Sequence, residues 1–133
     1  MPIGRYKRGT EFPHEAFVQA AVEHHFESAG YLLDSGGRVD LHATDALSGE
    51  RWHIEAKGVT SQVGLDFRTG LGQLVQGMEH PESKHAIAVP DTDSFRKQVR
   101  CIRPWVMERL QLYVLLVAAD GGVSVYGPTD CFP

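Results

Sequence analysis

Between Arg38 and Gly58 the chain reads RVDLHATDALSGERWHIEAKG, and this stretch restricts the fold more than any other. It predicts two strands, Arg38–Thr44 and Arg51–Gly58, joined by a turn containing Leu47-Ser48-Gly49. Side chains alternate between the two faces of a strand. Val39, Leu41 and Ala43 therefore share one face of the first strand, and Trp52, Ile54 and Ala56 share one face of the second. All six are apolar and belong against a core. The opposite face carries Asp40 and His42, then His53, Glu55 and Lys57. A turn symmetric about Leu47–Ser48 sets Asp40 opposite Glu55 and His42 opposite His53. Opposed carboxylates repel, unless a positive charge sits between them. Lys57 is one source of that charge and a divalent cation is another. Hard cations such as magnesium take carboxylate and carbonyl oxygen, which Asp40, Glu55 and the Ala56 carbonyl supply. The competing reading is a half-buried hairpin whose polar face is merely solvated.

A core must be available for the apolar face of that hairpin. The chain has 133 residues, which predicts a single domain spanning residues 1–133. Hydrophobic residues make up 42% and charged residues 23%, the balance of a soluble globular domain. The net charge of −4 gives no bulk attraction to nucleic acid, so any such contact has to be local. Cys101 and Cys131 form no zinc-finger spacing. With an N-terminal stretch lacking a signal-type apolar run, they predict a reducing, cytoplasmic setting. The longest apolar run, Leu112–Ala119, is too short for a membrane-spanning helix, so no membrane partner is expected.

Along the chain, Arg5, Lys7 and Arg8 form a short basic arm. Residues 11–29 predict an amphipathic helix, with Thr10 as cap and Pro13 in the first turn. Its stripe is Val18, Val22, Phe26 and Ala29, with Glu15 in line at its head, and Gly30 ends it. Tyr31–Asp34 is a short strand and Ser35-Gly36-Gly37 a turn. After the hairpin, residues 59–66 read as loop, and Thr69 caps a helix from Gly70 to about Met78 with Leu71, Leu74, Val75 and Met78 inward. Its glycines are costly in a helix and imply close approach of a backbone or a phosphate. His85–Pro90 is a buried strand. A helix from Ser94 to about Arg103 follows, capped by Thr92 or Asp93, then a segment Trp105–Leu110 beyond Pro104. Arg96, Lys97, Arg100 and Arg103 share one face of it. Strands Tyr113–Ala119 and Val123–Tyr126 meet at Asp120-Gly121-Gly122, a hairpin signal.

An Asp in a second strand, Glu-x-Lys in a third, and a leading helix that begins with Glu resemble the PD-(D/E)XK nuclease superfamily. The matching residues are Glu15, Val39-Asp40 and Glu55-Ala56-Lys57, with Gln73 on the following helix and HAIAVP as the next strand. The match covers residues 11 to about 90. Val39 stands where the motif has proline, and Gly77 follows Gln73 where the exonuclease branch has tyrosine. The first helix and small size are more similar to Holliday-junction resolvases or restriction-type endonuclease domains. The resemblance implies a restriction endonuclease-like α/β fold: an α-β-β-β-α-β core, a mixed central sheet flanked by helices, and an extra C-terminal helix and β-hairpin. It implies a metal-dependent endonuclease acting on DNA, as a homodimer or within a larger nuclease assembly. Asp40, Glu55 and the Ala56 carbonyl would hold Mg²⁺ or Mn²⁺, with Glu15 reaching it directly or through water. Lys57 would position the attacking water or offset charge, and Gln73 would help orient water, metal or phosphate. Apart from the resemblance, the basic helix face Arg96, Lys97, Arg100 and Arg103, with Arg68, is the candidate for contacting the DNA backbone, and the competing reading is a solvated helix face. His42 and His53 would orient the carboxylates or pair across the strands. Two other readings stand beside this one: a non-catalytic nucleic-acid-binding or assembly subunit of the same fold, and a zinc site built from His42, His53 and Asp40.

Overall fold

A computed structural model describes residues 10–34 and 41–133. The basic arm Arg5–Arg8, the Ser35–Gly37 turn, and Arg38, Val39 and Asp40 lie outside the described residues. The first helix, α1, runs Glu15–Ser28, shorter at its start than the sequence predicts. Thr10 does not cap it; the capping position is His14, with extended backbone and no side-chain cap. The reason is tertiary. The Pro13 carbonyl, which a longer helix would use internally, accepts the Val59 N–H at 2.9 Å, and Glu11 accepts the His14 N–H at 2.8 Å. Val18, Val22 and Phe26, spaced four apart, are buried as predicted, whereas Ala29 is an exposed C-cap. Gly30 follows at φ +89°, a conformation open to glycine at little cost.

The molecule is mixed α/β. A six-stranded mixed sheet runs in the order β1 (Tyr31–Asp34), β2 (Leu41–Asp45), β3 (Arg51–Ala56), β4 (Lys84–Pro90), β5 (Leu112–Val117) and β6 (Val123–Tyr126). β1, β2 and β3 are antiparallel neighbours, β3, β4 and β5 are parallel neighbours, and β6 returns antiparallel on β5. The hairpin has the predicted register, with His42 opposite His53. Its second strand ends at Ala56, two residues earlier than predicted, and β5 is shifted one to two residues toward the N-terminus.

One face of the sheet packs on α1 around Leu41, Ala43, Trp52, Ile54, Ala56, Ala86, Ala88, Leu115 and Val117. The other face is covered over β3 to β5 by the remaining helices. These are α2 (Val63–Gln76), α3 (Asp93–Arg100) and α4 (Pro104–Leu110), making four helices among the described residues. Over β1 and β2 that second face is open, with Leu32, Asp34 and His42 exposed.

α2 begins seven residues before the predicted helix, inside the stretch read as loop, and Thr69 lies within it. Gly64, Gly70 and Gly72 together cost roughly 3 kcal/mol in helix propensity. Burying Phe67 and Leu74, at about 1.5–3 kcal/mol each, offsets that. The inward face is Phe67, Gly70 and Leu74, so Val75 is 43% exposed instead of core. Thr60 hydrogen-bonds Asp66 in the first turn and accepts the Gln62 N–H at 3.2 Å, which organises the helix start. Thr92 caps α3, accepting the Phe95 N–H at 3.3 Å. α3 stops at Arg100, three residues short of the predicted end, because Pro104 holds Arg103 extended at φ −64°, ψ 141° and then opens α4 itself.

Candidate active site

Of the residues predicted to be catalytic, Lys57 and Glu15 meet just beyond the end of β3. Leu41 pairs with Ile54, and Asp40, the next residue outward in sequence, is outside the described residues. Glu55 lies on the same face as His53, beneath α2, and is 3% exposed. Beyond it the Lys57 N–H donates to the Ala88 carbonyl at 2.9 Å, continuing the parallel pairing with β4. The Lys57 Nζ is 3.9 Å from Glu15 Oε1; their side chains are 15% and 47% exposed. Glu15 reaches this point from the other side of the sheet because α1 begins against the end of β3. A Cβ on Gly58 would run into the His14 and Glu15 backbone. Glycine at 58 is thus what lets the first turn of α1 touch the strand.

Gly70 does the same for the lysine. A Cβ there would lie 2.6 Å from Lys57 Cγ, so the aliphatic stem of Lys57 fills the place of that side chain. At Gly70 the predicted close approach is therefore made by a side chain, and at Gly72 nothing approaches. Gln73 is exposed on α2, one helical turn beyond Gly70. Arg68 is exposed on the part of α2 that meets α3, its guanidinium and the Gln98 amide both lying against Gly64.

The basic face of α3 is partly engaged within the protein. Arg96 makes a two-pronged pair with Asp91, at 2.5 and 2.9 Å. That pairing holds the Asp91 carboxyl below its ordinary range and raises Arg96. Arg100 donates to the Pro133 carbonyl at 2.7 Å. Lys97 and Arg103 are exposed.

The polar face of the hairpin continues into a cavity that the sequence does not announce. Its volume is about 540 Å³, and it opens beside the start of β3 and β4 and the loop after α2. The His42 and His53 rings stack at 4.7 Å with 12° between planes, and His53 meets His85 edge-on at 5.8 Å. A Cβ on Gly77 would strike the His53 ring, so this glycine makes room for the imidazole at the helix end. His85 is 6% exposed; burial lowers its pKa, and the charges of His53, His42 and His80 add to that. Sequence pairs His42 with His53 but leaves His85 inside an apolar strand. Its position beside His53 depends on the parallel register of β3 and β4, which no local pattern encodes. Among the described residues, no group of three or more His, Cys, Asp or Glu side chains is placed to hold a metal ion. Among known proteins, no family model and no curated protein matches this chain.

Proposed function

We propose that this chain is a Mg²⁺- or Mn²⁺-dependent endodeoxyribonuclease of the PD-(D/E)XK kind. The observation that carries the reading is that Lys57 Nζ lies 3.9 Å from Glu15 Oε1 at the end of β3, two residues beyond the buried Glu55, although Glu15 comes from a helix on the other side of the sheet. The element order from α1 to β4 and the antiparallel, antiparallel, parallel pairing of β1 to β4 support the restriction endonuclease-like topology.

The donor set suits a hard cation: the Glu55 carboxylate, the Ala56 carbonyl, Glu15, and Asp40, expected from sequence opposite Glu55. The chemistry such an ion supplies when bound is acidification of a water and neutralisation of charge on the phosphate. The residues of the chain do the rest. Lys57, with its stem fixed against Gly70, aims its ammonium at the reacting phosphate and stabilises charge developing on its oxygens. Glu15, 3.9 Å away and half exposed, adds a weak attraction for that ammonium. Gln73 offers an amide from the adjoining turn to orient water or phosphate. Lys97, Arg103 and Arg68 make phosphate contacts, joined by Arg96 and Arg100 where their internal bonds permit.

The experiment is cleavage of plasmid, branched and single-stranded DNA with Mg²⁺ or Mn²⁺. Wild type is expected to cut at least one of them, and Glu55→Ala or Asp40→Ala to cut none while remaining folded. Removing one of two opposed carboxylates should leave the melting temperature in EDTA equal or higher. Cleavage at the wild-type rate by either variant would overturn the site.

A further inference from the structure

The histidine cavity lies on the same sheet face as Glu55, the buried carboxylate of the proposed site. His53 precedes Glu55 by two residues, about 7 Å along the strand. A nucleic-acid strand advances about 3.4 Å per stacked nucleotide, so a strand held at Glu55 would bring a neighbouring nucleotide to the cavity. We propose, resting on the nuclease reading above, that the cavity takes an unpaired nucleobase of the bound DNA, so that the substrate class is DNA with an unpaired nucleotide beside the scissile phosphate.

Size, surface and polarity all point this way. A volume of about 540 Å³ is generous for a bare phosphate and falls among pockets for small organic groups. His42 is exposed and stacked in parallel on His53, so its ring offers a flat aromatic platform. Unpaired bases stack on such rings, histidine included. The remaining lining is mixed. Arg51 and His80 bring N–H donors, Glu79 brings an acceptor, and His85, neutral at pH 7, offers one of each. A phosphate site needs donors only and would be repelled by Glu79, whereas a base edge presents donors and acceptors together. A paired base has both faces stacked and its pairing edge occupied, so it must leave the duplex to enter.

The probes are a duplex carrying one unpaired 2-aminopurine and the same duplex with that base paired, titrated with the full chain in Ca²⁺ and in EDTA. The expected result is quenched fluorescence and tighter binding for the unpaired probe alone. His42→Ala should relieve the quenching and weaken that binding about 5- to 150-fold, the range of one base–aromatic stack. His42→Phe should restore both, which a purely structural role for His42 would not produce. Equal binding of the two probes, or quenching unchanged in His42→Ala, overturns the proposal. Cleavage of the same probes in Mg²⁺ separates the two readings. Quenching without any cleavage retains the cavity and removes the nuclease. Cleavage of both probes at equal rates without quenching does the reverse.

Discussion

Lys57 is held by contacts on two sides, its stem against Gly70 and its ammonium toward Glu15. In the proposed nuclease, a group placed in this way acts on charge that develops during reaction more than on binding of the ground state. Lys57→Ala is therefore expected to lower single-turnover cleavage by about 10²- to 10³-fold. DNA affinity measured in Ca²⁺ should stay nearly constant. The opposite pattern, lost affinity with an intact rate on bound DNA, would make Lys57 a phosphate anchor. His85 sets a different residue-scale expectation. Burial, then the neighbouring His53, His42 and His80, depress its pKa below the ordinary 6.5. Between the folded and unfolded values the unfolded chain binds more protons, so stability rises with pH there. The contribution is fully present above pH 6.5 and is lost as pH falls from that point through the folded pKa. Urea midpoints at pH 7.5 and 5.0 should thus differ less in His85→Asn than in wild type. An identical drop in both would place the acid sensitivity elsewhere.

Helix α2 shows that glycines within one element have separate causes. Around Gly72 a Cβ would meet nothing within 4 Å, while at Gly70 it would meet Lys57. Both positions carry the same propensity cost. Gly72→Ala is expected to raise the unfolding free energy by about 0.5–1 kcal/mol with cleavage unchanged. Gly70→Ala should return little of that gain, because Lys57 must move, and cleavage should fall. Chemical denaturation and cleavage rates on the two variants check this together. Equal effects of the two substitutions on both readouts would refute the Lys57 contact. At the end of β3 the constraint is backbone on backbone, where no side chain can rotate away. Gly58→Ala should accordingly cost about 3 kcal/mol or more by separating α1 from the strand.

For the whole molecule, the net charge of −4 means that the proposed attraction to DNA must come from local cations. α2 lies over β3 and β4, and α3 packs alongside it, carrying Lys97 toward solvent, with Arg103 exposed just beyond its end. If these two residues contact phosphate on duplex DNA, each loss lowers the slope of log K against log salt by about 0.9. The double variant Lys97→Ala, Arg103→Ala is expected to show that smaller slope and to weaken all DNA sequences alike. An unchanged slope would move the phosphate contacts to the other side of α2, where Arg51 borders the cavity. Among the described residues no helix is long and apolar enough to cross a membrane.

Alternation along β2 and β3 was enough, without any tertiary information, to assign the buried residues Leu41, Ala43, Trp52, Ile54 and Ala56 and to pair His42 with His53. Two-residue periodicity and a short turn leave little freedom in such a hairpin. Caps and prolines likewise placed the start of α3 and the break before α4. Local pattern failed where distant surfaces decide. The N–H of Val59 takes the carbonyl of Pro13 and shortens α1, and burial of Phe67 extends α2 through residues that read as loop. Sequence placed Glu55 and Lys57 on one strand face, and the family resemblance alone brought Glu15 to them. That Glu15 reaches Lys57 depends on Gly58 letting α1 touch β3, and that His85 joins His53 depends on the register of a parallel pair. Both are contacts between elements far apart in the chain, and only the packed structure sets their distances.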